Sequence, residues 1–225
     1  MSTTATPAQA GLIQALDDAL PQTQCTRCGY PDCRAYATAI ATQGAGINRC
    51  PPGGAEGIVR LAVLTGRQPQ PLDPSCGREG PRRLAVIDEN WCIGCTLCIK
   101  ACPVDCIVGA SKQMHTVIDD LCTGCDLCLP VCPVDCIEMV EVSDARTGWS
   151  AWTPEQAGAA RERYAFHRER TEREQRENDE RLAARAQAKL ADLEGQSQIS
   201  DPDALRRKRA VIEAAIARAK AARRS

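Results

Sequence analysis

Bulky material for a core is scarce: only 3% of the 225 residues are aromatic, with a single phenylalanine, so side-chain burial alone is a weak support for any large domain. No run approaches the roughly 18 apolar residues of a membrane-spanning helix. The start, MSTTATPAQAGLIQALDDAL, has no basic n-region and places Asp17 and Asp18 where a secretory leader is apolar. These absences predict a cytoplasmic chain, at most peripheral on the cytoplasmic face of a membrane, held together partly by something other than packing. There is no glycine-rich phosphate loop of the GxGxxG or Walker type, so a nicotinamide or flavin would have to sit on another chain. The two histidines, His115 and His167, are read as solvent or turn residues rather than acid-base catalysts.

Cysteine, by contrast, is abundant. Fifteen thiols in a reducing compartment more often bind metal than pair with each other, and an odd count leaves at least one outside any complete disulfide set. The net charge of -1 conceals an acidic middle and a basic end: residues 81–150 carry five basic against ten acidic side chains, residues 151–225 seventeen against thirteen. Neither value demands nucleic acid as a partner.

Composition divides the chain into an α+β arrangement of four parts. Residues 1–65 open with a helical stripe, Leu12, Ile13, Leu16 and Leu20, that stops before Pro21 and is followed by Cys25, Cys28, Cys33, Cys50 and the turn PPGG. Residues 66–83, rich in Pro, Gly and Arg, read as a linker in which Cys76 is a free thiol without a partner pattern. Residues 84–145 hold an internal repeat: CIGCTLCIKACPVDCI from Cys92 matches CTGCDLCLPVCPVDCI from Cys122 at eleven of sixteen positions. Each copy follows a short β-like run, at 85–89 and 116–120. Residues 151–225 are rich in Ala, Arg and Glu, and predict a charged helical hairpin. Thr153, Pro154 and Gln156 supply a helix start, and Glu194 before Gly195 a stop. The buried stripe Leu182, Ala186, Leu190 and Leu193 would face Leu205, Ile212 and Ile216.

Each repeat has the form C-x2-C-x2-C-x3-C-P. A tetrahedral zinc ion commonly takes its four ligands as two separated pairs. A cubane spreads four irons over a larger body, so one tight loop reaches three corners and the fourth ligand comes from afar. In two-cluster ferredoxins, which this spacing resembles, the last cysteine of each run ligates the other cluster; that resemblance implies one [4Fe-4S] cluster on Cys92, Cys95, Cys98 and Cys132, and another on Cys122, Cys125, Cys128 and Cys102. Gly94 and Gly124 leave the backbone free to curl and aim N–H groups at sulfur. Cys106 and Cys136 read as small buried residues at the first turn of a helix. The unit resembles a bacterial-type two-cluster ferredoxin, which implies short hairpins and short helices around the clusters.

For C-x2-C-x4-C-x16-C, spacing alone leaves zinc and iron-sulfur equally open. The stretch LPQTQCTRCGYPDCRAYATAIATQGAGINRCPPGG, followed by VIDENWCIGCTLCIKACPVD, resembles the RnfB-type iron-sulfur subunit of the ion-translocating Rnf (Rsx) electron transport complex over residues 20–140. The resemblance implies a third [4Fe-4S] cluster on Cys25, Cys28, Cys33 and Cys50, and redox partner proteins that include membrane subunits of such a complex. Two departures stand out: the transmembrane helix at the start of membrane-bound RnfB proteins is missing, and the charged tail is an addition.

The expected function is therefore electron transfer: three low-potential clusters in relay, in a subunit rather than a catalyst by itself. A stand-alone soluble ferredoxin serving another oxidoreductase is the near alternative. A zinc-stabilised module whose basic tail grips nucleic acid or acidic protein would be colourless, and a redox sensor would signal by losing its cluster. In the tail, Arg206, Arg207, Lys208, Arg209, Arg218, Lys220, Arg223 and Arg224 against Glu213 alone predict a docking role.

Overall fold

The computed structural model describes residues 6–193, 195 and 197–222, so Glu194, Arg223 and Arg224 lie outside the described residues. The chain divides into a unit ending at His167 and a second running from Arg168.

The first unit begins with helix α1, Pro7–Asp18, started by a reciprocal capping box between Thr6 and Gln9 with Pro7 at the first helical position. Its stripe buries Ile13 and Leu16, and Leu20 beyond the helix end is also buried. Helix α2, Cys33–Gln43, starts where the Asp32 carboxylate accepts the Ala35 N–H at 2.6 Å, and ends at Gly44 in the left-handed region. Helix α3, Gly54–Thr65, follows the PPGG turn directly. Leu16, Leu20, Tyr36, Ile40, Ile58 and Leu61 close this small core. Tyr36 satisfies its buried hydroxyl by donating to the Gly46 carbonyl at 2.7 Å and accepting from the Arg49 N–H at 3.1 Å.

Residues 66–82 form a packed strap. Asp73 N–H donates to the Asn48 carbonyl, the Asn48 side chain returns a bond to the Pro71 carbonyl, and a short 3-10 turn at Pro74–Cys76 buries Cys76. Strand β1, Arg83–Ile87, then opens the repeat region. It pairs antiparallel with β4, Ile137–Glu141, in the register Arg83↔Glu141 to Ile87↔Ile137, while β2, Ile107–Val108, pairs with β3, Thr116–Val117. The halves therefore interleave: the first strand of the first copy pairs with the last strand of the second. The one helix within the repeats, α4, Leu97–Ala101, includes a Lys100 N–H bond to the Thr96 carbonyl. Pro130 occupies the matching position of the second copy and has no N–H to give, and that copy forms turns instead.

After β4, Trp149 is buried in a 3-10 turn at Gly148–Ala151. Helix α5, Pro154–Ala191, starts with the Thr153–Gln156 capping box its sequence predicts. Its first turns pack in the first unit, burying Ala157 and Ala160, with the Arg163 guanidinium donating to the carbonyls of Val104 at 2.7 Å and Asp105 at 2.9 Å. The composition change near residue 151 is thus not where packing changes.

In the second unit, the rest of α5 carries exposed i,i+4 pairs, Arg168–Glu172, Arg170–Glu174 and Arg173–Glu177, each worth a few tenths of a kcal/mol. Helix α6, Pro202–Ala222, half-buries Leu205, Ile212 and Ile216 as predicted. On α5 the stripe runs through Ala183, Ala186 and Leu190, and the buried Leu193 continues it just beyond the helix end. Leu182 is 51% exposed, so the smaller Ala183 replaces it on the inner face. No helix among the described residues is long and apolar enough to cross a membrane.

Candidate metal centres

The interleaved strands lay the CPVDC turn of each repeat against the cysteine loop of the other. One cavity is lined by Cys122, Cys125, Cys128 and, from the first repeat, Cys102. A second is lined by Cys92, Cys95, Cys98 and, from the second repeat, Cys132. Among the described residues, no three of His, Cys, Asp or Glu are gathered closely enough to hold a single metal ion. Tetrahedral zinc draws its sulfurs to about 2.3 Å from one point, whereas the corners of a cubane lie apart, so these donor sets fit the larger group.

Gly94 and Gly124 both adopt left-handed φ, 66° and 65°. A Cβ on Gly94 would meet the Gln113 backbone at 2.5 Å, and one on Gly124 would meet the Arg83 carbonyl at 2.2 Å, so these turns admit only glycine. Among the backbone N–H groups that reach sulfur are Cys106 to Cys102 at 3.3 Å, His115 to Cys92 at 3.4 Å and Ala85 to Cys122 at 3.5 Å.

Three expectations are corrected here. Cys106 and Cys136 do not open helices; they follow Asp105 and Asp135, both with left-handed φ, and lead into β2 and β4. Their sulfurs lie 3.4 Å from Cys102 Sγ and 3.5 Å from Cys132 Sγ. Hydrogen bonding by the Cys106 thiol, 3.4 Å from Cys102 Sγ, lowers Cys102 to about 6; the same thiol lowers Cys122, serving one sulfur at a time with its single proton, and is itself pushed far up. Cys106 therefore keeps its proton and donates it. Burial pushes Cys125 and Cys128 up to about 12. His115 is no solvent residue: it is 1% exposed and its Nδ1 lies 3.3 Å from Cys98 Sγ. Nor is His167 in a turn; it sits on α5, half-buried, with Nδ1 2.7 Å from an Asp105 carboxylate oxygen.

Near the N-terminus, Cys25, Cys28 and Cys50 are buried and Cys33 is the first residue of α2, its N–H donating to the Gln24 side chain at 3.0 Å. Burial raises the Cys33 and Cys50 thiols, Cys50 adding to the first and Cys25 to the second, which reflects how closely the group is drawn together. The strap brings Cys76 beside it, 5% exposed and close to the Arg49 guanidinium, whose charged form it favours. Its spacing gave no signal of this, because the approach depends on the strap folding against Asn48.

The loop around Cys25–Cys28 touches the loop around Cys122–Cys128. Thr123 Oγ1 donates to the Thr23 carbonyl at 3.0 Å, and Asp126 receives both Arg27 and Arg83, the latter at 2.7 Å. Clusters seated in these two thiol groups would be neighbours.

Comparison with known proteins gives the same two modules in the same order. Residues 85–139 match the family described as 4Fe-4S dicluster domain, and residues 20–52 one described as putative Fe-S cluster. The chain is 61% identical over 108 residues to the B subunit of the ion-translocating oxidoreductase complex of Azoarcus sp. (strain BH72), a match covering 48% of this chain and 59% of that protein. The corresponding protein of Thiobacillus denitrificans is 60% identical over 107 residues, 48% of this chain and 57% of the relative. The chain thus spans less than two thirds of the length of these two relatives. For the Citrobacter koseri protein the identity is 55% over 139 residues, 61% of this chain and 72% of the relative. With both cysteine modules matched and more than half of those 139 positions identical, the chain belongs to the family formed by the B subunits of ion-translocating oxidoreductase complexes.

Proposed function

We propose that the chain relays single electrons through three [4Fe-4S] clusters. Cys92, Cys95, Cys98 and Cys132 hold one, Cys122, Cys125, Cys128 and Cys102 a second, and Cys25, Cys28, Cys33 and Cys50 a third. Each cluster, when bound, supplies a one-electron site whose charge is spread over iron and sulfide. The chain supplies thiolates, a dry lining and backbone N–H groups aimed at sulfur. The observation that carries the reading is the cross-repeat grouping, in which three thiols of one run and the last of the other share a cavity. The contact between the Thr23 and Thr123 loops supports passage between the N-terminal cluster and that of the second repeat.

The relatives are named as subunits of an ion-translocating oxidoreductase complex, and we read the redox subunits of such a complex as the partners here, with the chain peripheral on the cytoplasmic face of the membrane. The modules serving this role are residues 1–65 and 84–145, joined by 66–83. The tail from 151 onward serves docking, its basic α6 steering the chain to an acidic partner or an anionic membrane surface.

Anaerobic reconstitution tests the cluster count: iron and acid-labile sulfide should each reach about twelve per chain. Saturation at about eight, with zinc on the N-terminal thiols, would reduce the relay to two clusters. A colourless, sulfide-free protein would replace the whole reading with the zinc module.

A further inference from the structure

Pseudo-symmetry makes the two repeat cavities alike in their thiols, and one side chain breaks it. His115 lies between β2 and β3, 23 residues after Cys92; the residue 23 beyond Cys122 is Ala145, which has no ring to offer. The His115 imidazole lines only the cavity of Cys92, Cys95, Cys98 and Cys132. It is 1% exposed, and room for it depends on Gly109, where a Cβ would stand 2.4 Å from the ring's Cδ2. Its backbone N–H points at Cys92 Sγ at 3.4 Å and its Nδ1 lies 3.3 Å from Cys98 Sγ, so this one residue touches two of the four sulfurs.

The other ring nitrogen decides the tautomer. Nε2 is buried and has no hydrogen-bond partner among the described residues. With the proton on Nε2, a buried donor would be orphaned and the Nδ1 lone pair would face a thiolate lone pair, two costs at once. With the proton on Nδ1, the donor meets the sulfur and only a lone pair is left without a partner. A buried imidazole with one nitrogen unsatisfied is a poor core residue, and its one polar contact is with a ligand sulfur.

We propose that His115 donates Nδ1–H to the Cys98 thiolate and thereby raises the reduction potential of the first-repeat cluster alone. A donor to a ligand sulfur favours the reduced, more negative cluster over the oxidised one. The inference rests on the cluster reading above and adds a residue that sets one step of the relay. The cavity of the second repeat is tuned by other means, through Cys106 and the Ala85 N–H.

The test is an EPR-monitored redox titration of the full-length, reconstituted protein and its variants, with iron and sulfide measured on each. Cys98→Ser first marks which signal belongs to the His115 cavity. His115→Phe, which keeps the bulk and removes the donor, should lower that cluster's reduction equilibrium constant about tenfold, about 59 mV for one electron, with the other signals unmoved. His115→Asn, whose amide nitrogen falls near the Nδ1 position, should recover much of the shift. An unshifted potential in the Phe variant, or equal shifts in Phe and Asn, would overturn the inference. Should the variants fail to load, wild-type protein grown on imidazole-15N histidine decides instead: ring-nitrogen hyperfine coupling to the Cys98-marked signal is expected, and its absence overturns the inference. Wild-type protein that binds fewer than about eight irons would defeat the cluster reading itself, a result distinct from full loading without a potential shift.

Discussion

Cys102 belongs to one repeat by sequence and to the cavity of the other by position. Replacing it by Ala should therefore damage the cluster of Cys122, Cys125 and Cys128 and leave that of Cys92, Cys95 and Cys98 more nearly intact, as judged by iron content and EPR of the reduced protein. Damage in the opposite pattern would refute the swap. Cys106→Ala should leave both clusters in place, because Cys106 keeps its own proton. It should nevertheless change how the cluster-free chain loads. Cys106, with one proton to share between them, lowers the Cys102 and Cys122 thiols to about 6 against an ordinary value of 9.0, while burial holds Cys125 and Cys128 up near 12, so Cys106 eases proton loss from only part of the set. The sign follows from a depressed folded-state value: the favourable contribution is full above pH 9 and is lost as pH falls through about 6. Without Cys106, cluster assembly should be slower than in wild type at pH 6–7 and the difference should close towards pH 9, while the rise that Cys125 and Cys128 impose is common to both proteins. The grouping of the repeat cysteines around two cavities could be read from the sequence, because their spacing sets which thiols share a loop. His115 and Cys76 could not, since one depends on the bare Cα of Gly109 and the other on a strap folding back across Asn48.

Helices announced by local chemistry were readable, and those built from small residues were not. The Thr153–Gln156 capping box marked α5 before any tertiary contact was known. Helix α2 is largely Ala and Thr, and α3, though amphipathic, starts at Gly53 and Gly54 with no capping side chain to announce it. Their placement is tertiary. Glu79, in the strap, accepts the Ala55 N–H at 2.8 Å at the start of α3 and the Thr147 hydroxyl at 2.7 Å, so it stands in for the missing side-chain cap at Gly53. Trp149 wedges between α1 and α3: its indole N–H donates to the Ala19 carbonyl at 2.7 Å, and the Arg60 guanidinium lies 4.2 Å above its ring. Gly57 admits the indole edge, since a Cβ there would stand 3.2 Å from it. Trp149→Ala should cost about 3–5 kcal/mol of stability by denaturant unfolding of the loaded protein. Trp149→Phe should cost less, retaining much of the packing while leaving the Ala19 carbonyl without its donor, about 1–3 kcal/mol. Equal losses in the two variants would mean that the hydrogen bond, rather than the packed ring, holds the segment.

Across the whole molecule, the charge split in the sequence is matched by two compact units, with their boundary inside a helix rather than at the composition change. The first turns of α5 belong with the thiol-bearing unit, and Arg163 grips the Val104–Asp105 turn that separates Cys102 from Cys106. The unit from Arg168 onward contains no cysteine, and its exposed ion pairs add little to stability. Two truncations should therefore behave differently. Ending the chain at His167 keeps the Arg163 contacts and should leave iron content and reduction potentials unchanged. Ending it at Ser150 removes them and should loosen the turn beside Cys102, seen as faster loss of the second-repeat cluster to a chelator. For docking, the chain ending at His167 should be reduced by its physiological donor more slowly than the full chain at low ionic strength. The difference should fade at high salt, because screening shortens the reach of the basic α6. Equal rates at low salt would remove docking from the tail and leave it a solvated appendage to the relay.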